Sequence, residues 1–89
     1  MYLAKVRGTV VSTQKDARLV GFKLLITQRI DVGGAYIDKP NVSVDTVGAG
    51  VGETVIVTSG SSARYGAASA DSPIDSTIIG IVDSTEVES

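Results

Sequence analysis

Residues 45–64 decide how this chain of 89 residues folds. They read Asp-Thr-Val-Gly-Ala-Gly-Val-Gly-Glu-Thr-Val-Ile-Val-Thr-Ser-Gly-Ser-Ser-Ala-Arg, with glycine at positions 48, 50, 52 and 60. Glycine at alternate positions permits backbone angles and close chain approaches that a side chain would forbid. The stretch therefore predicts the end of one strand, a tight glycine loop, a second strand from Thr54 and a turn of small residues.

A glycine-rich loop can also cradle a phosphate group, provided that it leaves a strand and opens a helix. Residues 54–58, which follow this loop, are all β-branched and favour a strand over a helix. No lysine follows the loop, and the Gly-x-Gly-x-x-Gly spacing of dinucleotide sites is missing. We interpret the loop as a structural turn.

Four other segments have the composition of strands, and the last of them is apolar on both faces. They are residues 2–12, 23–30, 41–47 and 77–83. Gly8, inside the first segment, predicts a sharp bend. One face of the last segment needs a second cover, which a partner subunit could supply.

Alternation along the second and third segments predicts which side chains face the core. The core-facing set is Leu24, Ile26 and Ile30 in the second segment and Val42 and Val44 in the third. Ser43 and Asp45 are expected to point to solvent. Leu25 falls on the polar side of its strand, so part of that face should also be covered.

The chain contains neither cysteine nor histidine, which excludes disulfides, ordinary zinc sites and imidazole or thiolate catalysis. A carboxylate pair such as Asp71 and Asp75 lies in a segment that reads as a solvated loop. Asp31 and Asp38 are too sparse for a calcium loop. We therefore expect no catalytic, cofactor-binding or metal-binding residues and no enzyme activity, and subunit association remains as the way to stabilise so small a chain.

Five short strands and room for one short helix after Ser59 predict an all-β fold. The expected architecture is a small closed antiparallel five-stranded barrel of the oligonucleotide/oligosaccharide-binding (OB) type. The chain is expected to be one domain, residues 1–89. Its start lacks a signal-peptide core and no run of residues is apolar enough to span a membrane, so a cytoplasmic protein without a membrane partner is expected.

The net charge of −2 is unevenly divided along the chain. Residues 1–39 carry seven basic and three acidic side chains, a balance of +4, whereas residues 40–89 carry one basic and seven acidic, a balance of −6. Such polarity could orient neighbouring subunits head to tail. Alternatively, a barrel that interleaves both halves would cancel the field.

Several blocks, taken in order, cover most of the chain and resemble the EutN/CcmL family of bacterial microcompartment vertex proteins. The most specific are Asp-x-x-Gly-Ala-Gly-x-Gly-Glu at residues 45–53 and Gly-Ser-Ser-Ala-Arg at residues 60–64. The others are residues 1–11, Lys-Leu-Leu at 23–25, Pro-Ile-Asp at 73–75 and Ile-Gly-Ile-Val-Asp at 79–83.

The resemblance implies a homopentamer of small β-barrels that plugs the five-fold corners of a polyhedral shell, within the cytoplasm, built otherwise from hexagonal shell proteins. No catalysis and no cofactor are implied. The hypothesis for the subunit interface comprises Gly48, Gly50, Gly60, Ser61, Ser62 and Arg64. The alternative is a single-stranded nucleic-acid-binding module on the same kind of barrel, but four aromatic residues and a negative net charge disfavour a nucleic-acid partner.

Overall fold

A computed structural model describes residues 1–12, 16–60 and 75–88, and these ranges contain five strands and one 3-10 turn. The strands are β1 (Tyr2–Val10), β2 (Lys23–Arg29), β3 (Asn41–Asp45), β4 (Thr54–Ser59) and β5 (Ser76–Val82), and the 3-10 turn is Ala17–Leu19. All five predicted strands are present, with ends that move by one or two residues. The short helix predicted after Ser59 lies outside the described residues.

The five strands close into a barrel in the order β1-β2-β3-β5-β4. The predicted all-β class and closed five-stranded barrel are thereby confirmed. Four pairings are antiparallel, and the contact between β3 and β5 is parallel, through Val44 opposite Thr77 and Asp45 opposite Ile78.

Two glycines on strands are covered by isoleucine side chains of the neighbouring strand. The β1–β2 register shifts next to Gly8, and a Cβ atom there would lie 3.4 Å from Ile26 Cδ1. The β4–β5 register shifts at Ile56, whose Cδ1 would lie 3.4 Å from a Cβ atom on Gly80. Such bulges sharpen the local twist of a strand. The bend expected at Gly8 therefore coincides with a β-bulge.

The main apolar core is built from small and medium side chains, as a narrow barrel requires. Its buried members are Ala4, Val6, Leu25, Ala49, Val55, Val57 and Ile78. A second cluster surrounds Val44, against which Leu19, Phe22 and Leu24 pack. Within the described ranges no helix is both long and apolar enough to cross a membrane.

The predicted faces of β2 and β3 are largely wrong. Leu24 and Ile26 are only partly buried and Val42 is 49% exposed, whereas Ser43 and Asp45 are buried. The predictions of burial were correct for Ile30 and Val44, although Val44 belongs to the second cluster.

Hydrogen bonds among hydroxyl groups explain why Ser43 is buried together with Thr27 and Ser76. Ser43 Oγ lies 2.8 Å from Thr27 Oγ1 and 2.7 Å from Ser76 Oγ, and Thr27 Oγ1 donates to Asn41 Oδ1 at 3.1 Å. Burial of a hydroxyl costs little when it is hydrogen-bonded. This hydroxyl chain therefore links β2, β3 and β5 inside the barrel.

Candidate functional site

The glycine loop (residues 46–53) is packed into the barrel. Ala49, at its centre, is fully buried in the main core between the half-buried or exposed Gly48 and Gly50. Gly48 and Gly52 have φ angles of +82° and +92°, which L side chains rarely adopt. Glycine at these two positions lets the chain turn in so that the methyl group of Ala49 enters the core.

Hydrogen bonds tie the loop to β1 and to its own first residues. The Gly52 amide donates to the Val6 carbonyl at 2.9 Å, and the Val6 amide donates to the Glu53 carbonyl at 3.0 Å. The Asp45 carboxylate accepts from the amides of Val47 at 3.0 Å and Gly48 at 3.2 Å. The loop is thus held in one conformation from both ends.

Two charged side chains, Lys23 from β2 and Glu53 from the loop itself, make further contacts with the loop. Lys23 Nζ donates to the Ala49 carbonyl at 2.9 Å and lies 3.9 Å from Asp45 Oδ2. Glu53 Oε1 accepts from the Gly50 amide at 2.6 Å. The amides of Val47, Gly48 and Gly50 are thus bonded to acidic side chains of the same chain, and the Gly52 amide is bonded to a backbone carbonyl, which favours the interpretation as a structural turn.

An exposed apolar surface lies beside the loop. Val47 is 40% exposed, and Ile79 on β5 is 38% exposed. The residues that precede them are joined, because Thr46 Oγ1 donates to the Ile78 carbonyl at 2.7 Å. We call Val47 and Ile79 the β5 patch. The sequence indicated a second apolar face on β5 but gave no sign that Val47 extends it.

The structure places the predicted interface residues at two separate positions. Gly48 and Gly50 lie in the loop before β4, whereas Gly60 follows β4, so six residues of strand separate them by about 20 Å. Gly60 is exposed, has a φ of +68° and donates its amide to the Asp75 carbonyl at 3.0 Å. Ser61, Ser62 and Arg64 lie outside the described residues.

Two tyrosines that could stack on nucleic-acid bases each have an arginine guanidinium over the ring. The Arg7 guanidinium lies 4.6 Å from the centre of the Tyr36 ring, and the Arg29 guanidinium lies 5.1 Å from that of Tyr2. A base-stacking surface needs open ring faces.

Among residues 1–12, 16–60 and 75–88, no three acidic side chains are grouped closely enough to hold a metal ion.

The family profile and the most similar characterised proteins point to the same family. The profile of the EutN_CcmL family, described as "Ethanolamine utilisation protein EutN/carboxysome", matches residues 1–83. The carboxysome shell vertex protein CcmL of Synechocystis is 46% identical over 89 residues, covering 100% of this chain and 89% of that protein. The microcompartment shell vertex protein GrpN of Rhodospirillum rubrum is 51% identical over 86 residues, covering 97% of each.

Solved structures of proteins of this kind are similar to this chain in fold as well as in sequence. An ethanolamine utilization protein, EutN, superposes with a TM-score of 0.91 at 45% identity, covering 100% of this chain and 91% of that one. The GrpN pentameric microcompartment shell protein of Rhodospirillum rubrum gives a TM-score of 0.88 at 50% identity, covering 99% of this chain and 100% of the other.

Proposed function

Because the chain belongs to the EutN/CcmL family, we propose that it is a structural shell protein of a bacterial microcompartment, which forms pentamers that cap the five-fold vertices of the shell. The observation that carries this proposal is its match, along nearly the whole length of both chains, to a pentameric shell protein. The unit that assembles is the whole chain, residues 1–89, acting as one domain in a shell within the cytoplasm.

The geometry of a closed shell gives the pentamer its role. Flat hexagonal tiles cannot close a polyhedron alone, so a five-fold unit is needed at each corner. A five-membered ring uses heterologous contacts, in which one patch of a subunit meets a different patch of the next. The partners are then four identical copies and the neighbouring hexagonal shell proteins, and the protein has no catalytic task, cofactor, nucleic-acid partner or membrane partner.

The proposed ring contact combines the glycine loop with the β5 patch. The patch presents β-branched side chains that the described part of the chain leaves exposed, and the rigid loop beside it lets another backbone come close at Gly48 and Gly50. Burial of such apolar surface stabilises association by about 25 cal/mol per Å². Gly60, Ser61, Ser62 and Arg64 are proposed as further contacts, on the strength of their motif.

Native mass spectrometry tests the assembly directly. Five copies of the 9.1 kDa chain should appear as one species of about 46 kDa. Electron microscopy of the protein co-expressed with hexagonal shell proteins should show closed, angular shells, and open tubes or sheets when it is left out. A well-folded single subunit over a wide concentration range, with no effect on shell closure, would contradict the proposal.

Gly50 tests the loop's part in the ring contact. A Cβ atom at Gly50 would lie 3.4 Å from Glu53 Oε1, which is an ordinary contact, so Gly50→Ala should fold and still form pentamers. Gly50→Val adds two further methyl groups at the point of close approach and should shift the mass from pentamer to monomer. An unaltered pentamer in Gly50→Val, with circular dichroism like that of Gly50→Ala, would remove Gly50 from the interface.

A further inference from the structure

A five-membered ring needs two different contact surfaces on every subunit, and the β5 patch with the glycine loop is one of them. The directions from a subunit to its two neighbours in such a ring differ by about 108°. The surface that receives the β5 patch must therefore lie on another side of the barrel.

The strand order of the barrel limits where the receiving surface can lie. Each of the five strands takes up about 72° of the circumference. The β5 patch lies where β3 meets β5, because Thr46, directly after β3, is bonded to Ile78 on β5. When the barrels stand side by side, with their axes along the five-fold axis, an angle of about 108° leads from this seam to β2 on one side or to β4 on the other.

The outward side at β4 is already occupied by segments of the same chain. Leu3 on β1 and Ile56 on β4 lie opposite each other there, and both are partly buried. Residues 30–34 and 83–85 line a cavity of about 290 Å³ together with Leu3 and Thr54. These two segments leave little of this side for a neighbouring barrel.

The outward side at β2 is open and its side chains are uncharged. Gly8 on β1, Ile26 on β2 and Val42 on β3 lie side by side in the strand register. They face outward, because Leu25 and Thr27 on either side of Ile26 are buried in the barrel. Among strand residues in the described ranges, Val42 is the most exposed large apolar side chain, at 49%. We call Gly8, Ile26 and Val42 the β2 face.

The packing around Val42 leaves it accessible. Ile26 leans toward Gly8, where a Cβ atom would lie 3.4 Å from Ile26 Cδ1. Two residues further along β3, Val44 is buried in a cluster that includes Phe22, whereas Val42 remains half exposed. An exposed valine beside other apolar residues is the kind of position that a partner subunit can cover.

We propose that the β2 face of one subunit receives the β5 patch of the next subunit in the ring, with Val42 packed against Val47 and Ile79. This inference rests on the proposed pentamer, because it needs a neighbouring copy. The side chains that meet are apolar on both surfaces, so their contact removes apolar area from water and leaves no charge unpaired. Every subunit carries both surfaces, so the same contact repeats around the ring and closes it.

Because the chain has no cysteine, engineered cysteines can report this contact without background. Val42→Cys and Ile79→Cys are made in separate chains, the two variants are mixed into common rings, and mild oxidation is followed by a denaturing gel. A disulfide needs Cα atoms within about 7 Å, so the proposed packing should give cross-linked pairs of chains.

Two features of the chain keep this experiment specific. Val44 lies opposite Thr77 in the parallel pair, so residues 42 and 79 of one chain are offset by four residues, or about 13 Å, and cannot form a disulfide with each other. The matched control pairs Ile79→Cys with Val32→Cys, which is 64% exposed and lies in the segment beside the β4 side.

We expect the cross-linked fraction to exceed that of the control by about fivefold or more, and rings of Val42→Cys alone to give no cross-links, because unlike surfaces meet. A yield no higher than the control, in rings whose mass is still pentameric, overturns the β2 face as the receiving surface and leaves the proposed function intact. Cross-links in rings of Val42→Cys alone overturn it as well. Absence of pentamers from the unmodified protein would instead overturn the proposed function, and this contact with it.

Discussion

At the residue scale, a carboxylate with a lowered pKa lies before the 3-10 turn. Asp16 Oδ1 accepts from the backbone amide of Arg18 and from its Nε, each at 2.9 Å, and Asp16 Oδ2 lies 2.9 Å from Arg18 Nη2. The side-chain hydrogen bond from Arg18, assisted by the backbone hydrogen bond, lowers the pKa of Asp16 from 3.8 to about 2. Asp16 acts as the N-cap of Ala17–Leu19.

This pair gives a prediction on pH dependence. The folded pKa of Asp16 lies below its unfolded value, so its contribution to stability is present above about pH 4 and is lost as pH falls through the window from 3.8 to about 2. Carboxyl-detected NMR should give a titration midpoint of about 2 for Asp16 in the folded protein. In Arg18→Ala the midpoint should rise toward 3.8.

Lys39→Ala, in the connection between β2 and β3, removes a positive charge that makes no contact with Asp16 and serves as the matched control. Its Asp16 midpoint should equal that of the unmodified protein. A midpoint that stays low in Arg18→Ala would show that a different group holds the carboxylate in its charged form.

Asp45 shows why single polar residues mislead a reading of sequence alone. Alternation predicted an outward carboxylate, yet the side chain of Asp45 is only 2% exposed. It caps the amides of Val47 and Gly48 at the start of the glycine loop. An acidic residue two or three positions before a glycine is a typical signal for this kind of turn, and it could have revealed the role.

At the scale of strands and turns, alternation of apolar and polar residues, together with the β-branched run at residues 54–58, predicted all five strands. The faces of β2 and β3 were wrong, since the hydroxyl groups of Thr27 and Ser43 satisfy one another inside the barrel. Hydropathy counts these residues as polar whether or not they have a partner. The parallel contact between β3 and β5 is a long-range pairing that local pattern does not encode.

The hydroxyl chain is expected to contribute to the stability of the folded barrel. Ser43→Ala removes the group that bridges Thr27 and Ser76, and leaves buried hydroxyls with fewer partners. The free energy of unfolding should fall by about 1–3 kcal/mol. Urea denaturation measures it, at one fixed protein concentration because ring formation also stabilises the folded chain.

Thr9→Val provides the control for Ser43→Ala, because Thr9 is an exposed hydroxyl on β1. Its effect should stay within about 0.5 kcal/mol. If Ser43→Ala is as mild as this control, the hydroxyl chain does not help to hold β3 and β5 together.

At the scale of the whole molecule, the resemblance seen in the sequence named the family, and the comparisons agree with it. The candidate site was less predictable. Gly48 and Gly50 lie together in the loop, but Gly60 lies at the far end of β4, because residues that are close in sequence diverge along an extended strand. The exposed Val47 beside Ile79 depends on how the loop meets β5, which only the three-dimensional structure shows.

The β5 patch gives a prediction on assembly. Ile79→Glu places a charge on an exposed position, so the single chain should fold, but ring formation would bury that charge without a partner. Ring dissociation should begin at concentrations at least about tenfold higher than for the unmodified protein, equal to about 1.4 kcal/mol. Sedimentation velocity over a dilution series measures the shift.

Val11→Glu places the same charge at a position just after β1 that is 91% exposed and outside the β5 patch as defined. Its sedimentation should follow that of the unmodified protein. Equal behaviour of Ile79→Glu and Val11→Glu would show that the ring uses a different surface.

The filled interior of the barrel has a consequence for permeability. Ala4, Val6, Leu25 and Val55 are fully or almost fully buried, and Ala49 fills space among them from the glycine loop. In the described part of the chain these side chains fill the barrel interior and leave no room for ions or metabolites to pass along the barrel axis. Traffic through a corner of the shell would therefore run between subunits, and its size limit would depend on how the five copies meet around their common axis.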